Sequence, residues 1–226
     1  MVLPPGLAAK ARELQRRLRA RIIITPLKEK PRFIAGADAA FDDDIALAAA
    51  CVFSFPELEL LDVKTACVKV TFPYIPGLLA FREGPAVIKV IRRLKPRPDV
   101  VLIDGQGIAH PERMGIASHV GLMLGIPAIG CAKSRLVGDH AEPGKKAGSR
   151  SVLSYQGEEV GAVLRTRDNV RPMFISPGHL LDMEDSVSIV LACVRGFRMP
   201  EPTRQADLIT KKMKRERKEC SITAPI

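Results

Sequence analysis

Two aspartates stand where strand packing gains nothing from a charge. Asp38 interrupts the apolar run Phe33-Ile34-Ala35-Gly36-Ala37-Asp38-Ala39-Ala40-Phe41, and Asp104 closes Val100-Val101-Leu102-Ile103. A buried, unpaired carboxylate is costly, so such positions usually hold a partner, a set of hydrogen bonds or a cation. Aspartate also begins turns, which is reason enough for Asp104 taken alone. Asp38 has no such reason, because its strand would gain from Ala or Val. Glu83, in Ala80-Phe81-Arg82-Glu83-Gly84, and Asp207 fall in helical stretches, where an acid commonly sits on a solvated face or near a helix N-terminus. Three or four such acids, brought together from separate elements, make an oxygen-rich site for a hard divalent cation, Mg²⁺ or Mn²⁺. Their spacing along the chain does not by itself establish that they converge.

The elements that must position these acids follow from periodicity. Leu7, Ala11, Leu14, Leu18 and Ile22 recur at helical spacing among Arg and Lys, predicting an opening amphipathic helix. Residues 33–41, 45–55 and 58–72 read as three strands, close enough for an antiparallel meander. Pro73 and Pro76 break the pattern, and a helix follows over about 77–94 until Lys95-Pro96-Arg97-Pro98 stops it. Residues 99–104 form a short apolar strand of the kind covered on both faces. A helix near 114–124 and a strand at 126–132 come next. Residues 133–150 are polar, basic and glycine-containing, and read as a mobile loop. A hairpin over 151–155 and 160–165, a strand at 173–176, and helices over 182–194 and 204–218 complete the chain. Three leading strands followed by alternating helices and strands predict one α/β domain over residues 1–226, a ribonuclease H-like mixed sheet with helices on both faces.

Composition narrows the function. The 226 residues are 46% hydrophobic and 27% charged, an ordinary globular balance, and carry a formal net charge of +10. That excess favours a polyanionic partner, since each Lys or Arg at a phosphate releases condensed counterions, although it also suits a merely soluble basic surface. The five cysteines make no CxxC pair and so give no zinc site; Cys51, Cys67, Cys131 and Cys193 sit among apolar neighbours, Cys220 does not, and the set fits a reducing cytoplasm. No apolar run is long enough for a membrane span, and the residues after Met1 lack a signal-peptide pattern. We expect a soluble cytoplasmic protein, a monomer, with no membrane partner. Aromatic residues are 4% of the chain, too few for general single-strand stacking.

Read together, these segments resemble the endonuclease V family, nucleases that act at deaminated adenine. The likeness is carried by Gly36-Ala37-Asp38, by Pro73-Tyr74-Ile75-Pro76-Gly77-Leu78-Leu79-Ala80-Phe81-Arg82-Glu83, by Asp104-Gly105-Gln106-Gly107-Ile108-Ala109-His110-Pro111, and by Gly130-Cys131-Ala132-Lys133-Ser134-Arg135-Leu136. Ser176-Pro177-Gly178-His179 and Pro200-Glu201-Pro202-Thr203-Arg204 add two more. The resemblance spans roughly residues 34–207. It implies that Asp38, Glu83 and Asp104 bind the metal, Mg²⁺ with Mn²⁺ as a substitute. Asp207 matches a position, close to that metal, which is acidic in some members and His in others. Lys133 and His110 match polar residues of the active site. Ala37 departs from the Val common there, and the basic segment 211–218 lies outside the pattern.

The resemblance also implies a nucleic-acid surface made by Pro73, Tyr74, Ile75 and Pro76, with Arg82, Gly107 and Arg135. Two prolines stiffen this turn and leave Tyr74 and Ile75 at its tip, which suits insertion into a base stack. The same pair in an arbitrary sequence would more often plug a gap beneath the next helix. Glycines at 105 and 107 let backbone approach a ligand, and backbone groups can tell the Watson–Crick edge of hypoxanthine from that of adenine. The resemblance thus implies inosine-containing DNA as the substrate, with inosine-containing RNA as a second. Another ribonuclease H-like nuclease would share the carboxylates without the wedge. A non-catalytic basic nucleic-acid-binding module would need neither.

Overall fold

The computed structural model describes residues 6–223, with side chains as far as Arg217. Cys220 and the end of the basic segment lie outside the described side chains. The meander forms as its alternating pattern predicts: β1 (Phe33–Asp42), β2 (Ile45–Ser54) and β3 (Leu60–Lys69) pair antiparallel. The chain then crosses through α2 (Leu79–Ile91) to β4 (Val100–Ile103), which pairs parallel with β1. A second crossover through α3 (Ile116–Leu124) leads to β5 (Ala128–Ala132), parallel to β4. The hairpin of β6 (Arg150–Tyr155) and β7 (Glu158–Leu164) joins through β8 (Met173–His179), antiparallel to β5. Sheet order is β3-β2-β1-β4-β5-β8-β7-β6, the expected ribonuclease H-like mixed sheet.

Strand alternation sorts the core into two layers. Ala35, Ala37, Ala48, Ala50, Val101 and Ile103 face α2 and α3, whose Val87, Val90, Ile116, Ala117 and Val120 bury against them. Ile34, Leu102, Ile129 and Ile175 face the other way, towards α4 (Met183–Ala192) and its Val187 and Val190. Across β1 and β2 lies α5 (Glu201–Thr223). Gly36 shares the face of Ile34 and is the reason this helix can sit so close. A Cβ built there would lie 2.0 Å from the carbonyl carbon of Pro202 and 2.4 Å from the Thr203 nitrogen, both backbone atoms. α1 (Leu7–Arg19) covers no sheet face and is tied instead, through Gln15, to the carbonyls of Gly77 and Met114. No helix among the described residues is long and apolar enough to cross a membrane.

Two expectations are corrected. Residues 133–150 are stitched to the sheet rather than left free. The Arg165 guanidinium, 7% exposed, donates to the carbonyls of Pro143 and Gly144 and to Glu142, and a further bond reaches Val170. Asp139 and Ser154 exchange backbone bonds as an isolated bridge. A guanidinium can satisfy that many acceptors from one position, which composition alone does not reveal. Cys67, read as an apolar-packed thiol, is exposed on β3, whereas Cys51, Cys131 and Cys193 are buried.

The close approach at Gly36 predicts that Gly36→Ala overpacks backbone against backbone. We expect a destabilisation of about 3 kcal/mol, equivalent to a fall in Tm of roughly 6–12 °C for a chain of this size. A thermal melt matching the parent within 2 °C or so would mean that α5 simply moves aside.

Candidate active site

The parallel pairing of β1 and β4 decides where the first two carboxylates meet. Gly36 is in register with Leu102 and Ala37 with Ile103, and the Asp104 N–H donates to the Ala37 carbonyl at 3.3 Å. Asp38 and Asp104 therefore emerge side by side, on the face that Ile34 and Leu102 share. α5 crosses this face because Gly36 admits it, and brings Asp207 over the pair. One carboxylate oxygen from each of Asp38, Asp104 and Asp207 falls within 4.8 Å of the others. Glu83 comes from α2 on the opposite layer and stands outside that trio, yet close enough that Asp38 and Asp104 both perturb it.

Burial and mutual repulsion dominate the electrostatics. Glu83 is pushed up to about 8, first by burial and then by the charges of Asp38 and Asp104. Asp104 is raised by burial against the opposing pull of Lys133. Asp38 is raised by burial too, although the Thr210 hydroxyl donates to its Oδ2 at 2.5 Å and opposes the shift. Burial also acts upward on Asp207, but ion pairs from Lys211 at 2.6 Å and Lys133 at 2.9 Å outweigh it and hold this acid below its ordinary range. The Lys133 ammonium sits 2.5 Å from Asp104 and 2.9 Å from Asp207; these pairs outweigh the downward effect of burial and raise its pKa. Crowded, half-neutralised oxygen donors of this kind fit a hard divalent cation.

A cavity of about 400 Å³ adjoins the carboxylates. The Tyr74–Gly77 turn, the loop after Asp104 and the segment from Lys133 to Leu136 wall it. Tyr74 is 69% exposed at its rim, Ile75 is half-buried, and Leu78 is fully buried beneath. The turn closes through the Leu78 N–H to the Ile75 carbonyl, with Gly77 at φ 80°. The plug is thus Leu78, and the tyrosine is left to solvent.

Other expected residues hold different posts. Arg82 donates to the Phe72 carbonyl at 3.0 Å and lies 4.4 Å from the centre of the Phe41 ring, so it braces the turn from behind. His110 is buried in the cavity wall and outside the carboxylate trio, where its Nδ1 accepts from the Glu112 N–H. Burial lowers it to about 4, so it is a neutral imidazole at pH 7. Gly107 packs closely on the fold: a Cβ there would lie 2.1 Å from the Pro177 carbonyl oxygen, and its N–H donates to Ser176 Oγ. Arg135 is exposed at the loop edge, paired with Asp139. Thr210, Lys211 and Arg198 were not anticipated. Arg198 donates to the Lys133 carbonyl at 2.6 Å and so fixes the segment carrying that lysine. Thr210 follows Asp207 by three residues on one helix, a same-face spacing that was there to be read.

The sequence profile of endonuclease V matches residues 16–208. The chain is 46% identical to endonuclease V of Geotalea uraniireducens over 95% of its own length and 93% of that relative. Its fold superposes on the crystal structure of endonuclease V from Streptomyces avermitilis with a TM-score of 0.89 and 38% identity, covering 95% of this chain and 96% of the other. Endonuclease V from Ciona intestinalis, solved with a 23mer DNA containing an inosine followed by a ribo-adenosine, gives a TM-score of 0.83 at 27% identity, over 95% and 99% of the two chains. A profile that covers most of the chain, and a relative matched nearly end to end, establish that this chain belongs to the endonuclease V family of nucleases.

Proposed function

We propose that this nuclease nicks DNA at the second phosphodiester 3′ to a deoxyinosine, leaving a 3′-hydroxyl, a 5′-phosphate and the lesion in place. Inosine-containing RNA is a second substrate. The observation that carries the reading is the juxtaposition of a carboxylate trio with a cavity rimmed by an exposed tyrosine. The inosine-containing DNA bound by the Ciona relative supports the substrate. We assign Asp38, Asp104 and Asp207, with Glu83, to hold Mg²⁺ or Mn²⁺, in a monomer working in the cytoplasm. A cation held by these carboxylates would supply Lewis-acid chemistry at the scissile phosphate, at an attacking water and at the leaving 3′ oxygen.

The chain's own residues do the rest. Thr210 pins Asp38 Oδ2, which leaves the second oxygen of that carboxylate to ligate. Lys133 reaches both the carboxylates and the cavity, so its ammonium can hold a phosphate oxygen there. Neutral His110 can donate or accept a hydrogen bond but brings no fixed charge. Tyr74 fills the vacated stack when the target base turns out of the duplex, offsetting an unstacking cost of a few kcal/mol per step. Arg82 keeps that turn rigid from behind.

Three outcomes follow. Asp38→Asn or Asp104→Asn should cut the Mg²⁺-dependent nicking rate by several orders of magnitude while duplex binding persists, because binding rests mainly on Lys and Arg; a variant nicking at the parent rate removes that residue from the ligand set. Tyr74→Ala should erode the preference for inosine over adenine duplexes and leave the cut position unchanged. A denaturing gel of an end-labelled duplex reads both, and random cleavage by the parent enzyme would sink the reading. The third outcome concerns pH in the absence of metal. Glu83 binds its proton more tightly folded than unfolded, so its contribution to stability is complete below pH 4.5 and is lost as pH rises through about 8. Glu83→Gln should flatten the fall in Tm across that window in EDTA, and an unaltered profile would show that Glu83 is not the protonated group.

A further inference from the structure

α1 has an unusual attachment. Gln15, only 2% exposed, donates from its one amide nitrogen to the carbonyls of Gly77 and Met114, each at 3.0 Å. Both carbonyls belong to residues that wall the cavity beside the carboxylates. On the same side, the Arg12 guanidinium lies 3.7 Å from where a Gly77 Cβ would be, and its charge helps to lower the pKa of His110, after burial. The helix is thus clipped to the cavity rim by one buried amide, with Ala11 as its other buried residue.

Its outward face is strongly cationic. Lys10, Arg16, Arg17 and Arg19 are exposed there, and the helix carries the single acid Glu13. Arg16 and Arg17 share that acid, with their side chains 58% and 75% exposed. Exposed pairs of this kind hold their charges loosely, since each contributes under about 1 kcal/mol, and exchange readily for another anion. A charge run on a helix is commonly only a solvated face. This one belongs to a helix whose buried Gln15 is bonded to two residues of the cavity wall. We propose that the basic face of α1 binds the phosphate backbone of the nucleic acid whose base enters this cavity. Gln15 joins that helix to the turn bearing Tyr74.

The inference rests on the proposed function to the extent that a nucleic-acid strand enters the cavity, and its test needs no inosine. Affinity for an inosine-free duplex is measured by fluorescence anisotropy in EDTA over a range of salt concentrations. Removing one cation from a phosphate reduces the slope of log K against log salt by about 0.9. Arg16→Gln/Arg17→Gln should therefore lower the slope by about 1.8, and Lys10→Gln/Arg19→Gln should lower it similarly. Lys28→Gln/Lys30→Gln removes the same charge near the starts of β1 and β4, at the edge away from Asp104, and should keep the parent slope. Circular dichroism confirms that each variant is folded. Parent-like slopes in both α1 variants, or an equal fall in the Lys28/Lys30 control, would overturn the proposal. Loss of inosine preference in the parent enzyme would overturn the substrate assignment and leave the slope comparison standing.

Discussion

Several carboxylates share a small, mostly water-excluded volume here, and they repel one another. Burial is the largest upward influence on Asp38, Glu83 and Asp104, and neighbouring acids add to it in each case. Such a cluster persists only where the surrounding fold over-determines it. The over-determination is visible. A parallel ladder fixes Asp38 beside Asp104, and the absence of a side chain at Gly36 lets α5 set Asp207 over them. Two lysines and one threonine satisfy what oxygens they can reach. The three aspartate oxygens that remain within 4.8 Å of one another are the geometry a hard cation would use.

The cavity obeys a different constraint. Its walls come from loops, and loops carry function only when something rigid holds them. The Tyr74 turn is held by buried Leu78 below, by Arg82 behind and by Gln15 of α1 beside it. The segment bearing Lys133 is held by Arg198, and its continuation by Arg165. Each of these polar braces is a side chain donating to backbone carbonyls, which satisfies loop groups that lack a ladder partner.

Much was legible in the chain. A carboxylate inside an alanine-rich strand is a local contradiction, and Asp38 announced itself by that contradiction alone. Period-2 and period-3.6 patterns placed the helices and strands, because backbone pairing and one-sided burial leave their mark on neighbouring residues. Segment likeness then named the family, which the profile and the superpositions bear out.

Convergence was decided elsewhere. Asp38 and Asp207 are far apart in sequence, and nothing local says that one helix must cross one strand at Gly36. Gly107 read as a place where backbone nears a ligand, and the fold also needs its missing side chain for the close approach of Pro177, which no local pattern reveals. The loop over residues 133–150 looked free because its partner, Arg165, lies beyond the next hairpin turn. Gln15 looked like any polar residue of an amphipathic helix and is among the most deeply buried polar groups described. Periodicity reports which face of an element is apolar, a property of adjacent residues. Which element meets that face depends on packing between distant segments, and only the folded chain settles it.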